Sequence, residues 1–261
     1  MTPAGPPSTP ATTPARPAPI VLPDGRPAAA AWTLDPALRH LNHGSFGAVP
    51  RAAQQEQARL RAELDASAQT WFATLPGRLA AARARVAPHL GVRPDDLAFV
   101  PNASGGASVV FASLPLRPGA EVVVTDHGYG AVTAGAQRLA RRAGGTLRRA
   151  HVPLAASAEE ACAAVVAEFT DRTGLVVVDH VTSPTARFLP VAEISVAAAE
   201  RGIPVLVDAA HVPALVADPL AGVAADFWVG NLHKFGCAPR GAAVLVARGP
   251  LVGELNPLID S

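Results

Sequence analysis

Lysine occurs once in this sequence: of 22 basic residues, 21 are arginine, and the exception is Lys234. Arginine replaces lysine wherever only a positive charge is wanted. It does not replace an amine nucleophile, because the guanidinium stays protonated. A solitary lysine by itself reads as a surface charge, so its meaning depends on its surroundings. Those are Gly230-Asn231-Leu232-His233-Lys234-Phe235-Gly236, directly after an apolar run. Three other short segments carry chemistry in the same setting. Pro101-Asn102-Ala103-Ser104-Gly105-Gly106 has the small residues that let amides at a helix start approach a phosphate. Asp126-His127-Gly128-Tyr129-Gly130 holds the one tyrosine of the chain between glycines, suited to lie flat on a planar ligand. Asp208-Ala209-Ala210-His211 sets an acid at the end of an apolar strand, able to orient a histidine, bind a metal or hold a heterocyclic cation.

The elements that must position these residues follow from the pattern. Short β-branched runs at 97–100, 121–125, 146–152, 175–179, 204–207, 226–229 and 242–246 predict seven strands. Helical spacing predicts helices at 51–74, 76–90, 104–113, 130–143, 158–170 and 191–201, with Pro76-Gly77 breaking the first pair. Alternating strands and helices with nearly continuous apolar strands predict an α/β fold, a mostly parallel seven-stranded sheet with helices on both faces. In such sheets ligands sit beyond the carboxyl ends of the strands, which is where each of the chemical segments falls.

An amine, a carboxylate, an aromatic ring and a Gly-rich helix start on one rim match the needs of pyridoxal phosphate. Its aldehyde takes an amine, its ring nitrogen a carboxylate, its face an aromatic neighbour and its phosphate backbone amides. The segment before Gly105 is no dinucleotide fingerprint, and a P-loop is excluded because Phe235 follows the lone lysine. An alternative, a metal hydrolase built on Asp179, His180, Asp208 and His211, leaves Lys234 and the helix start unused.

Composition bounds the remaining classes. The 261 residues are 49% hydrophobic with a formal charge of +1, giving core material but no electrostatic footprint for nucleic acid or an anionic membrane. No apolar run reaches the ~20 residues of a membrane span. Cys162 and Cys237 neither frame a disulfide scaffold nor follow zinc spacing, so a cytoplasmic protein is expected. Residues 1–30 contain nine prolines and almost no large apolar residues, which predicts a disordered tail without a signal peptide.

Leu41-Asn42-His43-Gly44-Ser45-Phe46-Gly47, Asp179-His180-Val181-Thr182-Ser183-Pro184-Thr185, Asp208-Ala209-Ala210-His211 and Gly230-Asn231-Leu232-His233-Lys234 together resemble the class V aminotransferase superfamily. They look most like its isopenicillin-N epimerase-like branch. The resemblance implies the large domain of fold type I and a homodimer with sites at the subunit interface. It makes Lys234 the Schiff-base lysine and acid/base, and Asp208 the partner of the pyridine nitrogen. His211 and Ser183 would approach the ring hydroxyl, and Tyr129 would stack on the ring. Ser104, Gly105, Asn231 and His233 would form the phosphate cup, and Asn42 and His43 would border the pocket of a small amino-acid substrate.

On this reading residues 31–50 are an amino-terminal active-site segment, 51–249 the cofactor domain and 250–261 the start of a linker to a small domain the sequence does not include. Transamination, epimerisation and elimination at the α-carbon share these residues, and a catalytically impaired remnant that still binds cofactor is the other expectation. A cysteine desulfurase is disfavoured, since Cys162 falls in a helix and Cys237 beside Lys234.

Overall fold

The computed structural model describes Ala18 and residues 20–259. Seven strands form one sheet: β1 (Leu97–Val100), β2 (Glu121–Thr125), β3 (Leu147–Ala150), β4 (Thr173–Asp179), β5 (Val205–Asp208), β6 (Phe227–Asn231) and β7 (Ala243–Ala247). Their order is β1-β7-β6-β5-β4-β2-β3, and β7 alone runs against its neighbours. Every residue of β2, β5, β6 and β7 is buried, which explains their continuous apolar sequence: helices cover both sides, so neither face can be polar.

Successive side chains feed two cores. Val122 and Val124 enter one with α3 (Ala103–Ser113) and α4 (Gly130–Arg142). Val123 enters the other with α2 (Ala68–Leu90), α5 (Ala158–Val166) and α6 (Val191–Ala199). Gly106 is needed where α3 crosses β6, because a Cβ there would lie 2.8 Å from Val229. Ser157 and Glu160 close a reciprocal cap that starts α5.

Several boundaries differ from the sequence reading. The helical break falls at Ser67, between α1 (Arg51–Ala66) and α2, and Pro76 sits within α2. Pro76 is exposed, so water can replace the hydrogen bond its ring removes. Of the segment expected to be a disordered tail, residues 1–17 and 19 lie outside the described residues. Its last part forms a turn closed by a bridge between Val21 and Pro27, then a short 3-10 helix, Ala28–Ala31. The Arg26 guanidinium bonds Asp24 across that turn. Strands β5 and β6 each run further than predicted, so Asp208 and Asn231 are the last residues of the sheet itself.

Candidate active site

At the carboxyl ends of β4, β5 and β6 lies a cleft of about 360 Å³, entered by Lys234, Asp208, Asp179, His211 and Tyr129. Strand β5 delivers Asp208, which is 3% exposed and accepts the Ala210 amide at 3.1 Å. Burial pushes its carboxyl up to about 6, although the Ala210 amide and Lys234 oppose the rise. Strand β4 delivers Asp179, whose Cα pairs with that of Asp208, so the two acids project from the same face of neighbouring strands. Burial and Asp208 push Asp179 up to about 8. In such a site two carboxylates do not both ionise readily.

Lys234 follows β6 by three residues. Burial lowers the pKa of its amine, with Asp208 pulling the other way. The amine lies 2.9 Å from His211 Nε2, while His211 Nδ1 is 3.2 Å from the Val181 carbonyl. That carbonyl requires the Nδ1–H tautomer, so Nε2 presents its lone pair to the lysine. Burial and Lys234 lower the pKa of His211, the backbone bonds to Val181 and Gly44 opposing, which keeps the imidazole neutral and a proton acceptor.

The lysine loop is clamped by the 44–47 segment. A Cβ at Gly47 would collide with the His233 carbonyl oxygen and lie 2.5 Å from that of Lys234, so the backbone packs where no side chain fits. Gly44 lies against His211 and the Phe235 ring.

The far wall is the start of α3. Its cap is Asn102, whose side chain takes the Gly105 amide at 2.8 Å. Asn231 Oδ1 takes the Ala103 amide at 2.8 Å, tying the end of β6 to the helix. Among the described residues the Ser104 amide finds no acceptor and is the free donor of this first turn, beside its own hydroxyl, where the helix dipole favours an anion. His233 bonds the Ala242 carbonyl through Nδ1 at 2.8 Å, leaving Nε2 for the cleft. The donor set fits pyridoxal phosphate: an amine and a buried acid that do not form an ion pair, an aromatic side wall, and a free amide and hydroxyl at a helix start.

The family model for class-V aminotransferases matches residues 45–260. The chain belongs to the class-V aminotransferase family. It is 35% identical over 226 residues to isopenicillin N epimerase of Streptomyces clavuligerus, and 33% identical over 230 residues to that of Amycolatopsis lactamdurans. Each alignment covers 86% of this chain, and the chain spans 57 and 58% of the length of those relatives. Among solved structures, a C-DES variant with glycine covalently linked to its PLP cofactor superposes with a TM-score of 0.79 at 24% identity. The match covers 88% of this chain and 62% of that one. This likeness confirms the expected fold of the class-V aminotransferase large domain.

The structure brings together most of the residues the sequence singled out. Lys234, Asp208, His211, Tyr129, Ser104, Asn231 and His233 all reach the cleft. Four others do not line it. The Gly105 amide is spent on Asn102. Ser183 is exposed on the turn after β4, outside the cleft wall. Asn42 is exposed and accepts the Ser45 amide, closing its own turn. His43 packs edge-on against His40 with ring centres 4.6 Å apart.

The metal-hydrolase alternative loses its cluster, because strand alternation sends His180 to a different cavity, near Leu189 and Pro190. Among the described residues no three His, Cys, Asp or Glu come together as metal ligands. Asp179 entered the sequence reading through that alternative and as the first residue of a resemblance motif, with no role at the cofactor. The register between β4 and β5 is what reveals it as a partner of Asp208.

Proposed function

We propose that this chain is the cofactor-binding part of a pyridoxal phosphate-dependent enzyme acting at the α-carbon of a small amino acid. The observation that carries the reading is one cleft shared by the solitary amine of Lys234 and the buried acid Asp208, with the free Ser104 amide at the start of α3 on the far wall. Bound there, the cofactor would accept the electron pair released when a bond to the α-carbon breaks. Lys234 would hold its aldehyde and, once displaced by substrate, move the α-proton. His211 Nε2, 2.9 Å away, is placed to accept a proton from that amine and keep it nucleophilic. Asp208 would hold the proton on the pyridine nitrogen, and Ser104 with His233 would anchor the phosphate. Tyr129, 46% exposed, forms a side wall that a planar ring would cover.

Epimerisation is the outcome favoured by the two epimerase relatives. Proteins described as putative L-cysteine desulfhydrases from rice, 29% identical, support elimination as the second reading. A homodimer is part of this proposal: Leu38, Leu41 and Phe46, in and just before the segment that packs on the lysine loop, are all more than half exposed. A cytoplasmic setting is proposed too, supported by two unpaired, half-buried cysteines. Among the described residues no helix is long and apolar enough to cross a membrane.

The test is the visible absorption of the purified chain with pyridoxal phosphate, before and after borohydride. The parent is expected to show a band that borohydride removes, leaving cofactor fixed to the protein; Lys234→Ala should show no fixed cofactor. Equal fixation without Lys234 would overturn the assignment. Turnover of D- and L-amino acids by the loaded chain, read by chiral separation, then distinguishes epimerisation from elimination.

A further inference from the structure

Asp179 is unexplained by the reading above, on which this inference rests. It is 4% exposed, it stands in register with Asp208, and the cleft that takes both acids contains Lys234 as its one strong base. It also touches the aromatic wall. The Tyr129 backbone amide faces its carboxyl and opposes the rise in its pKa. A Cβ at Gly128 would lie 3.7 Å from Asp179 Oδ2 and 2.8 Å from Thr133 Oγ1, so the turn from β2 into α4 runs tightly over the acid.

To Asp179 strand β5 brings Asp208, the segment after it His211, the loop after β6 Lys234, and the turn after β2 Tyr129. His127, next on that turn, is held between the Thr185 hydroxyl and the Val152 carbonyl, each at 2.7 Å, and so is not a free partner. Asp208 lies nearer the lysine in electrostatic effect: Lys234 lowers its pKa, while Asp179 is raised by burial first and by Asp208 second, with no help from Lys234. Of two acids held this close, the one without the cation keeps the proton.

We propose that Asp179 is a positioning residue for the cofactor: as an uncharged, proton-bearing carboxyl it ties the Tyr129 turn to the end of β4 and leaves Asp208 the single negative charge opposite the pyridine nitrogen. A neutral amide can do the same work. A methyl group cannot, because the Tyr129 amide then faces no polar group at the end of β4. A charged carboxylate would place a second anion against Asp208.

Two measurements test this on the chain loaded with pyridoxal phosphate. The first is cofactor affinity, from absorbance titration. Asp179→Ala is expected to weaken it about tenfold, and Asp179→Asn to recover most of that loss, as for a residue that orients a ligand's neighbours. The second is carbon NMR of protein labelled at the aspartate carboxyl. At about pH 7 the parent should show one protonated aspartate signal that is missing in Asp179→Asn; this holds whether or not the alanine variant folds. An asparagine variant as weak as the alanine one, or a parent with no protonated aspartate, would overturn the role given to Asp179 while the cofactor still binds. If the parent binds no pyridoxal phosphate, the reading of the whole site falls instead.

Discussion

The two rims of the sheet each hold a buried acid, and the two acids behave in opposite ways. Glu121 opens β2 at the amino rim and is 2% exposed; Asp179 closes β4 at the carboxyl rim and is 4% exposed. Glu121 takes the Thr170 hydroxyl at 2.7 Å and the Arg172 guanidinium, and these hold its carboxyl below the usual range. Asp179 is pushed up, by its burial and by the acid beside it. The amino rim also has the larger cavity, about 1070 Å³ against 360 Å³. Yet Asp226 and Arg117, which line it, are paired within the protein: Asp226 takes the Val205 amide and Arg117 bonds the Asp171 carbonyl. Size therefore does not mark the functional end. What marks it is burial of charge without local compensation, which costs stability and is retained where a ligand completes the set.

Asp208→Asn should reduce amino-acid turnover by the loaded protein about a hundredfold or more, since it removes a charge placed opposite a developing one. The melting temperature of the cofactor-free protein should not fall, because a charge buried at the end of β5 is gone. A loss of stability with turnover intact would reverse the roles assigned to the rims. Gly47→Ala should cost about 1–3 kcal/mol in denaturant melts, because the carbonyls of His233 and Lys234 leave no room for a Cβ. A neutral result would mean that the lysine loop is not clamped. Glu121→Gln should cost about 1 kcal/mol, discounted because Arg172 is mostly in solvent, and should leave the cofactor titration unchanged.

The smallest effect is in pH, where the rims should slope oppositely in the cofactor-free protein. The folded pKa of Glu121 is depressed, so its contribution is present above the ordinary carboxylate range and lost as acid protonates the folded state. The folded pKa of Asp179 is raised from 3.8 to about 8, so its contribution is full below the ordinary value and lost as pH rises between the two. Denaturant melts from about pH 2 to pH 8 should therefore flatten between about pH 4 and 8 in Asp179→Asn, and below about pH 4 in Glu121→Gln. The same pH dependence in both variants would erase the contrast.

The larger part of the fold was legible because strands covered on both faces must be continuously apolar and because turns must supply Gly, Pro or a cap. Lys234 and Asp208 were legible for a chemical reason: an amine cannot be exchanged for a guanidinium, and an acid ending an apolar strand needs a partner. Pro76 misled, since an exposed helix face tolerates a missing hydrogen bond. Ser183 and Gly105 were placed by resemblance. A motif carries residue types, but not which way a turn points them or which amide a cap consumes.

By itself the sequence determined the layered α/β sheet, the rim on which chemistry gathers, and the amine and acid that define it. Only the tertiary structure decided the register that sets Asp179 beside Asp208, the tautomer that turns His211 Nε2 toward Lys234, and the backbone clamp at Gly47. Each of these depends on contacts between segments distant in the chain, and local patterns of hydrophobicity and turn residues do not encode which side chains meet across strands.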